Sequence, residues 1–202
     1  MKLSKKFGSF IFLCYLCSVN KKQKVMLVIH IISTDDTNDF SGIYDGLQAT
    51  ILINPTKSEC KRAIINEKER IVFIGHGTEW GLLNQRLDGF IVGSDMVQFL
   101  RGKDIIGIWC NASGFADRYD LTGFFTSMFI SNTNELVDCG FQLFDNCDEE
   151  IERQNKLFST RINQLLKENT PSREWAKILF DSLENEQRFV YYNYEAMYST
   201  ED

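Results

Sequence analysis

The sequence predicts an α/β fold, in which a mostly parallel β-sheet is covered by helices on both faces. Hydrophobic runs typical of strands buried on both faces occupy residues 24–33, 70–77 and 104–110. Capped or amphipathic segments separate these runs, and such alternation of strands and helices is typical of parallel sheets. We therefore expect three layers, with the sheet between two layers of helices.

The length and charge of the chain limit its organisation and its partners. A chain of 202 residues is long enough for one domain with a substantial core and short for two. The net charge of −6 argues against nucleic acid as an obligatory partner, because phosphate binding requires a basic surface. Residues 24–202 are therefore interpreted as a single domain that does not bind nucleic acid.

The first 23 residues form a leader that can be interpreted in more than one way. The basic start MKLSKK precedes the apolar run FGSFIFLCYLCSV, a pattern typical of a secretory signal but without an A-x-A cleavage site. The run is too short to span a bilayer comfortably. Alternatively, the leader is dispensable and translation starts at Met26. We expect a cytoplasmic protein, or a secreted or membrane-associated one if residues 1–23 act as a signal or anchor.

The cysteines indicate free thiols rather than a disulfide framework or a metal site. The chain has six cysteines and two histidines. The single C-x-x-C, at Cys14 and Cys17, lies in the apolar leader, and no second pair has the spacing of zinc ligands. We therefore predict a reducing compartment, no metal and no cofactor.

The remaining segments give the expected order of elements. Residues 49–56 predict a second buried strand, and GFFTSMFIS at 123–131 predicts a fifth. The segments EWGLLN and GFIVG predict a small hairpin, and a polar loop is expected after Cys110. The tyrosine-rich residues 189–198 fit either a last strand or a docking segment. Helices are predicted at 39–48, at 58–69 with Ser58 as the cap, at 94–102, at 148–168 and at 171–184.

His76 and Cys110 follow two of the predicted strands, in IVFIGHG and DIIGIWC. In open α/β sheets, sites form beyond the carboxyl ends of the strands, and strands close in sequence are often neighbours. A nucleophilic cysteine needs a base within hydrogen-bond reach, which Cys110 and His76 would provide. The backbone N–H groups of Gly77 and Cys110 could bind an oxyanion.

These two motifs resemble the signature of the caspase-like cysteine peptidases, a group that includes caspases, metacaspases, legumain, gingipain and clostripain. In that family a hydrophobic strand ends in His-Gly and a later one ends in Cys, the order seen here over roughly residues 24–131. The resemblance implies a caspase-like fold, Cys110 as nucleophile, His76 as general base and acid, and a peptide or protein substrate. It also makes a homodimer paired through sheet edges compatible with the fold.

The chain also departs from the family pattern. The caspase Q-A-C box is replaced by I-W-C-N-A, and His76 and Cys110 are 34 residues apart, against about 50 in caspases. Candidate substrate-binding residues are those beside the nucleophile and two carboxylates after the first strand, which would favour a Lys or Arg side chain. These candidates are Asp35, Asp36, Ile108, Trp109 and Asn111.

Other interpretations of the same residues remain open. Cysteine is among the most buried residue types, so Cys110 could be a core thiol in an ordinary α/β protein. His30 lies within the first strand and is interpreted as a core histidine. Asp35 and Asp36 also fit a plain loop with a helix cap. A catalytically inactive caspase-fold module for binding or regulation is the main alternative to a peptidase.

Overall fold

A six-stranded, mostly parallel sheet forms the centre of the molecule, as predicted. The structure is a computed structural model that describes residues 26–33 and 36–200, so the leader at 1–23 lies outside the described residues. Its strands are β1 (Met26–His30), β2 (Ala49–Ile53), β3 (Arg70–Ile74), β4 (Gly77–Thr78), β5 (Gly81–Leu83), β6 (Phe90–Val92), β7 (Asp104–Ile108), β8 (Gly123–Phe125) and β9 (Tyr198–Ser199).

The order of strands in the large sheet is β2-β1-β3-β7-β8-β9. Strands β2, β1, β3, β7 and β8 are parallel to one another, and β9 runs antiparallel to β8. The remaining strands, β4, β5 and β6, form a small antiparallel sheet. Its β5 and β6 are the hairpin that the sequence predicted.

Helices cover both faces of the large sheet. They are α1 (Lys57–Asn66), α2 (Val97–Leu100), α3 (Ala112–Tyr119), α4 (Thr133–Asp138), α5 (Cys147–Lys167), α6 (Trp175–Asp181) and α7 (Arg188–Glu195), with 3-10 helices at Asp36–Tyr44, Ser94–Met96 and Ser172–Glu174. Alternation along the strands divides the core in two. Val72 and Ile74 pack with α5 to α7, whereas Ile71 and Phe73 pack with α1, α2, α3 and the small sheet. The predicted three-layer α/β fold is thereby confirmed.

Strand β2 differs from the prediction of a second buried strand. It pairs only with β1 and forms one edge of the sheet. Ile51 and Ile53 are consequently 39% and 45% exposed. A continuous apolar run does not distinguish an edge strand from a central one, because strands in either position can consist of apolar residues.

Helix α1 begins at a different residue from the predicted one. Ser58 was expected to be the N-cap, but the cap is Thr56, whose side chain accepts a hydrogen bond from the backbone N–H of Glu59 at 3.3 Å. The carboxylate of Glu59 accepts the backbone N–H of Thr56 at 2.8 Å, which completes a capping box.

Two C-terminal predictions are also corrected. Strand β8 ends at Phe125, so most of the predicted strand 123–131 is irregular chain. The segment 189–198 contains helix α7 rather than a strand, and only its last residue belongs to β9. Phe189, Val190 and Tyr194 are buried on one side of α7, and this helical spacing outweighs the strand preference of aromatic residues.

Among residues 26–33 and 36–200, no helix combines the length and the apolar character needed to cross a membrane.

Candidate functional site

The strands that carry His76 and Cys110 are direct neighbours in the sheet. Strand β3 pairs in parallel with β7, and Ile74 lies opposite Ile108. Each predicted catalytic residue follows two positions later, and the Gly75 N–H donates to the Ile108 carbonyl at 3.1 Å. His76 and Cys110 therefore leave the sheet at the same level, on strands that are about 4.8 Å apart.

Both side chains line one small pocket at this end of the sheet. Its lining residues are Phe40, Gly75, His76, Ile108, Trp109, Cys110, Thr126, Phe129, Ser131 and Glu135. The pocket has a volume of about 20 Å³, which is room for about one water molecule. Cys110 and His76 are each partly exposed. The structure thus brings the predicted pair together, in a pocket too narrow for a peptide.

Trp109 joins the two strand ends. Its side chain is 3% exposed, and its indole Nε1–H donates to the carbonyl of Thr78 at 3.1 Å. A Cβ on Gly77 would lie 2.0 Å from Cδ1 of this ring, so only glycine fits there. Trp109 therefore holds the chain after His76 against the chain before Cys110. Gly77 has a packing requirement that is separate from its predicted role in an oxyanion hole.

Thr126 fixes the backbone just before Cys110, a role that no pattern in the sequence indicates. It is fully buried, and its hydroxyl donates to the Trp109 carbonyl at 2.8 Å and accepts from the Trp109 N–H at 3.1 Å. Its backbone N–H donates to the Gly107 carbonyl at 2.9 Å. The side chain thus continues the hydrogen bonding of the sheet beyond the end of β8.

The chain after Cys110 is a helix rather than the predicted polar loop. Asn111 adopts a left-handed conformation, with φ of 63°, and α3 starts at the next residue. The backbone N–H of Asn111 donates to the carbonyl of Ser127 at 3.1 Å. Asparagine tolerates this conformation better than most residues, which allows a sharp turn between β7 and α3. Phe115 and Ala116 anchor the helix in the core.

The thiol of Cys110 points to the irregular chain that follows β8. Its Sγ donates a hydrogen bond to the carbonyl of Phe129 at 3.8 Å. Burial is the main cause that raises the pKa of Cys110 to about 11, and the nearby charge of Glu135 contributes to the same rise. The thiol is therefore protonated at neutral pH in this arrangement, whereas a nucleophilic cysteine must become a thiolate.

This pKa predicts a loss of stability in alkali that depends on Cys110. The folded-state pKa lies above the ordinary value of about 9, so the stabilising contribution is complete below pH 9 and is lost as the pH rises through 11. Denaturant unfolding of wild type and Cys110→Ala at pH 8 and pH 11 measures it. The free energy of unfolding should fall by about 2 kcal/mol more in wild type. Equal falls in the two proteins would mean that this thiol titrates normally in the folded state.

The predicted substrate-binding residues have different outcomes. Asp35 and the side chain of Asp36 lie outside the described residues. Ile108 and Trp109 line the pocket but are only 4% and 3% exposed, so they also belong to the core. Asn111 is in the turn just described, and its contact with a substrate stays a prediction.

His30 is a core histidine, as predicted. It is fully buried in β1, and its Nδ1 lies 3.1 Å from the hydroxyl of Tyr44.

Other residues of the pocket were not found from the sequence. Phe40 comes from the 3-10 helix Asp36–Tyr44, while Phe129, Ser131 and Glu135 come from the chain after β8. They are far from both motifs in sequence and follow no recognisable pattern. Glu135 occupies the first turn of α4 and accepts hydrogen bonds from the N–H and hydroxyl of Ser131, at 2.7 and 2.8 Å.

In the described part of the chain, no group of three or more His, Cys, Asp or Glu side chains is arranged to hold a metal ion. The four described cysteines, Cys60, Cys110, Cys139 and Cys147, are free thiols.

We compared the chain with models of known families, with curated proteins and with solved structures, and none of them matches it. Its function must therefore be inferred from the geometry and chemistry of the site.

Proposed function

We propose that the protein is a caspase-like cysteine endopeptidase, with Cys110 as nucleophile and His76 as general base and acid. The observation that carries this proposal is the register of β3 and β7. It puts the ends of IVFIGHG and DIIGIWC at the same level on adjacent strands. The resemblance of these two motifs to caspase-like peptidases supplies the reaction class. The α/β architecture, with helices on both faces of a mostly parallel sheet, agrees with it.

The proposed reaction begins with proton transfer from the Cys110 Sγ to a ring nitrogen of His76. The resulting thiolate attacks the carbonyl carbon of a peptide bond, and the negative oxygen accepts hydrogen bonds from the N–H groups of Gly77 and Cys110. His76 then donates its proton to the leaving amine, so a thioester remains on Cys110. Water, activated by His76, hydrolyses the thioester and restores the thiol.

Labelling with peptidyl acyloxymethyl ketones tests the proposal. The probes vary the side chain next to the cleaved bond and react with the full-length wild type, with Cys110→Ala and with Cys60→Ala as a control thiol. Mass spectrometry then identifies the modified residue. We expect labelling at Cys110 in wild type and in Cys60→Ala, and none in Cys110→Ala. Folded protein that no probe labels at Cys110 would contradict a peptidase in its active form.

A catalytically inactive caspase-fold module is the second candidate, and one specific observation favours it. The Cys110 thiol donates to the carbonyl of Phe129, and burial raises its pKa to about 11. A binding module needs no thiolate and tolerates such a thiol. For this candidate we expect Cys110 to react with alkylating reagents no faster than a buried thiol, in every conformation that the protein adopts.

A further inference from the structure

The Cys110 thiol is covered by a short stretch of chain without regular structure. Residues 127–132 connect β8 to α4 and belong to neither a strand nor a helix; we refer to them as the covering segment. Phe129 and Ser131 of this segment line the pocket with Cys110, and the Phe129 carbonyl accepts the thiol's hydrogen bond. With the covering segment in this position, the pocket beside the sulfur is too narrow for a peptide.

Side chains of two helices hold the backbone of the covering segment. Asn193 of α7 accepts from the Ile130 N–H at 2.8 Å and donates to the Ile130 carbonyl at 3.0 Å. Asn155 of α5 donates to the Ser131 carbonyl at 2.9 Å. Both asparagines are buried, at 3% and 1% exposure. Buried backbone groups need partners, and for Ile130 and the Ser131 carbonyl these are single side chains rather than a strand ladder.

Such an attachment can open without disturbing the sheet. Strand β8 ends at Phe125, and β7 keeps its pairing with β3 whatever the covering segment does. The Oδ1 atom of Asn155 is buried without a hydrogen-bond partner, so the closed arrangement leaves one polar atom unsatisfied. Release would cost a few hydrogen bonds, most of which water could replace. It would also expose part of Phe129 and Ile130, which are 6% and 1% exposed in the closed arrangement.

We propose that the covering segment is an autoinhibitory latch, which Asn155 and Asn193 hold closed over Cys110 and whose release exposes the thiol to substrate. This inference concerns regulation of the same site and rests on the proposed function. In the closed state the thiol donates to Phe129. In the open state it turns to His76 and the pocket widens to admit a peptide.

The electrostatics of Cys110 agree with a closed resting state. Burial is the main cause of its raised pKa, and the charge of Glu135 is the second. Ser131 donates twice to the Glu135 carboxylate, so the covering segment and this charge are connected. Opening would bring water to the sulfur and move the segment away, and hydration favours the thiolate.

Alkylation of Cys110 by iodoacetamide in the full-length protein tests the latch. The variants are Asn155→Ala, Asn193→Ala and the milder Asn193→Asp, which keeps an acceptor for the Ile130 N–H but loses the donor. Asn163→Ala is the matched control, since Asn163 of α5 also donates to two carbonyls, those of Ile43 and Asp45, both at 2.9 Å. Fully buried Cys60 reports global unfolding.

We expect the latch variants to alkylate Cys110 at least about tenfold faster than wild type, with Asn193→Asp intermediate. Asn163→Ala should leave the rate unchanged, and Cys60 should react equally slowly in all the proteins. Equal Cys110 rates in latch and control variants, or an equal acceleration of Cys60, would overturn the latch. Iodoacetamide needs no catalytic base, so the latch can prove correct even if peptide probes reveal no peptidase.

Discussion

Replacing His76 by alanine is expected to slow the labelling of Cys110 by peptide-based electrophiles about 10²- to 10⁴-fold, the usual contribution of a general base. The reason is the parallel register of β3 and β7, in which Ile74 lies opposite Ile108. This register puts His76 at the same level as Cys110 on the adjacent strand, where the proposed mechanism needs its base. The measurement is the second-order rate constant for the best peptidyl acyloxymethyl ketone at neutral pH.

The other histidine of the chain provides the control. His30 lies on the neighbouring strand β1, fully buried beside Tyr44. Its replacement by alanine should reduce stability, because it opens a cavity and removes a hydrogen-bond partner of the half-buried Tyr44 hydroxyl. At a temperature at which the protein stays folded, the labelling rate should be close to that of wild type. If His76→Ala labels as fast as wild type, His76 is not the base and the binding module becomes the better proposal.

The central strands and the position of the site could be predicted from the sequence, because both depend on local patterns. Strands β1 and β3 are buried along their whole length, and that environment produces continuous apolar runs. A polar residue directly after such a run lies at the strand's carboxyl end in any parallel sheet. His76 and Cys110 could therefore be placed at the same end of the sheet from the sequence alone.

The walls of the pocket could not be predicted in this way. Phe129 and Glu135 reach Cys110 only because the chain leaves the sheet after Phe125 and returns across the end of β7. The segment GFFTSMFIS looks like one long strand, and Thr126 ends it early by bonding to the backbone of Trp109. That bond joins residues 17 positions apart, so no local pattern reports it.

Helix α3 was missed for a different reason. Ala112, Phe115 and Ala116 have the spacing of a helix face buried in the core. Gly114 and the charged residues that follow Ala116 resemble a loop, and Asn111 in its left-handed conformation makes the turn too short to recognise. The signal was present, but it extends over only two helical turns.

Gly77 is a position beside the candidate site where a single methyl group should cost considerable stability. A Cβ there would lie 2.0 Å from Trp109 Cδ1 and 2.7 Å from the carbonyl oxygen of Gly81. The indole cannot easily move aside, because it donates to Thr78 and packs edge-on against Phe73 and Phe115. We expect Gly77→Ala to lower the free energy of unfolding by about 3 kcal/mol, at the upper end for overpacking.

Denaturant unfolding of Gly77→Ala beside Gly89→Ala measures this cost. Gly89 lies in the same region of the chain, but its nearest neighbour to an added Cβ is a side-chain nitrogen of Asn84 at 3.5 Å, an ordinary contact. Gly89→Ala should therefore be nearly neutral. In a Trp109→Leu background the stability cost of Gly77→Ala should decrease, because the indole ring that clashes with the added methyl group is absent.

The same variant separates the two roles of Gly77. Alanine keeps the backbone N–H that would bind the oxyanion, so an activity loss in Gly77→Ala would reflect displacement of the chain rather than a missing donor. Since Trp109 spans both strand ends, that displacement should move His76 relative to Cys110. We therefore expect the labelling rate to recover together with stability in the Trp109→Leu background. If Gly77→Ala in the otherwise wild-type protein were as stable as wild type, the Trp109 ring must be able to move aside. Gly77 would then have no packing requirement.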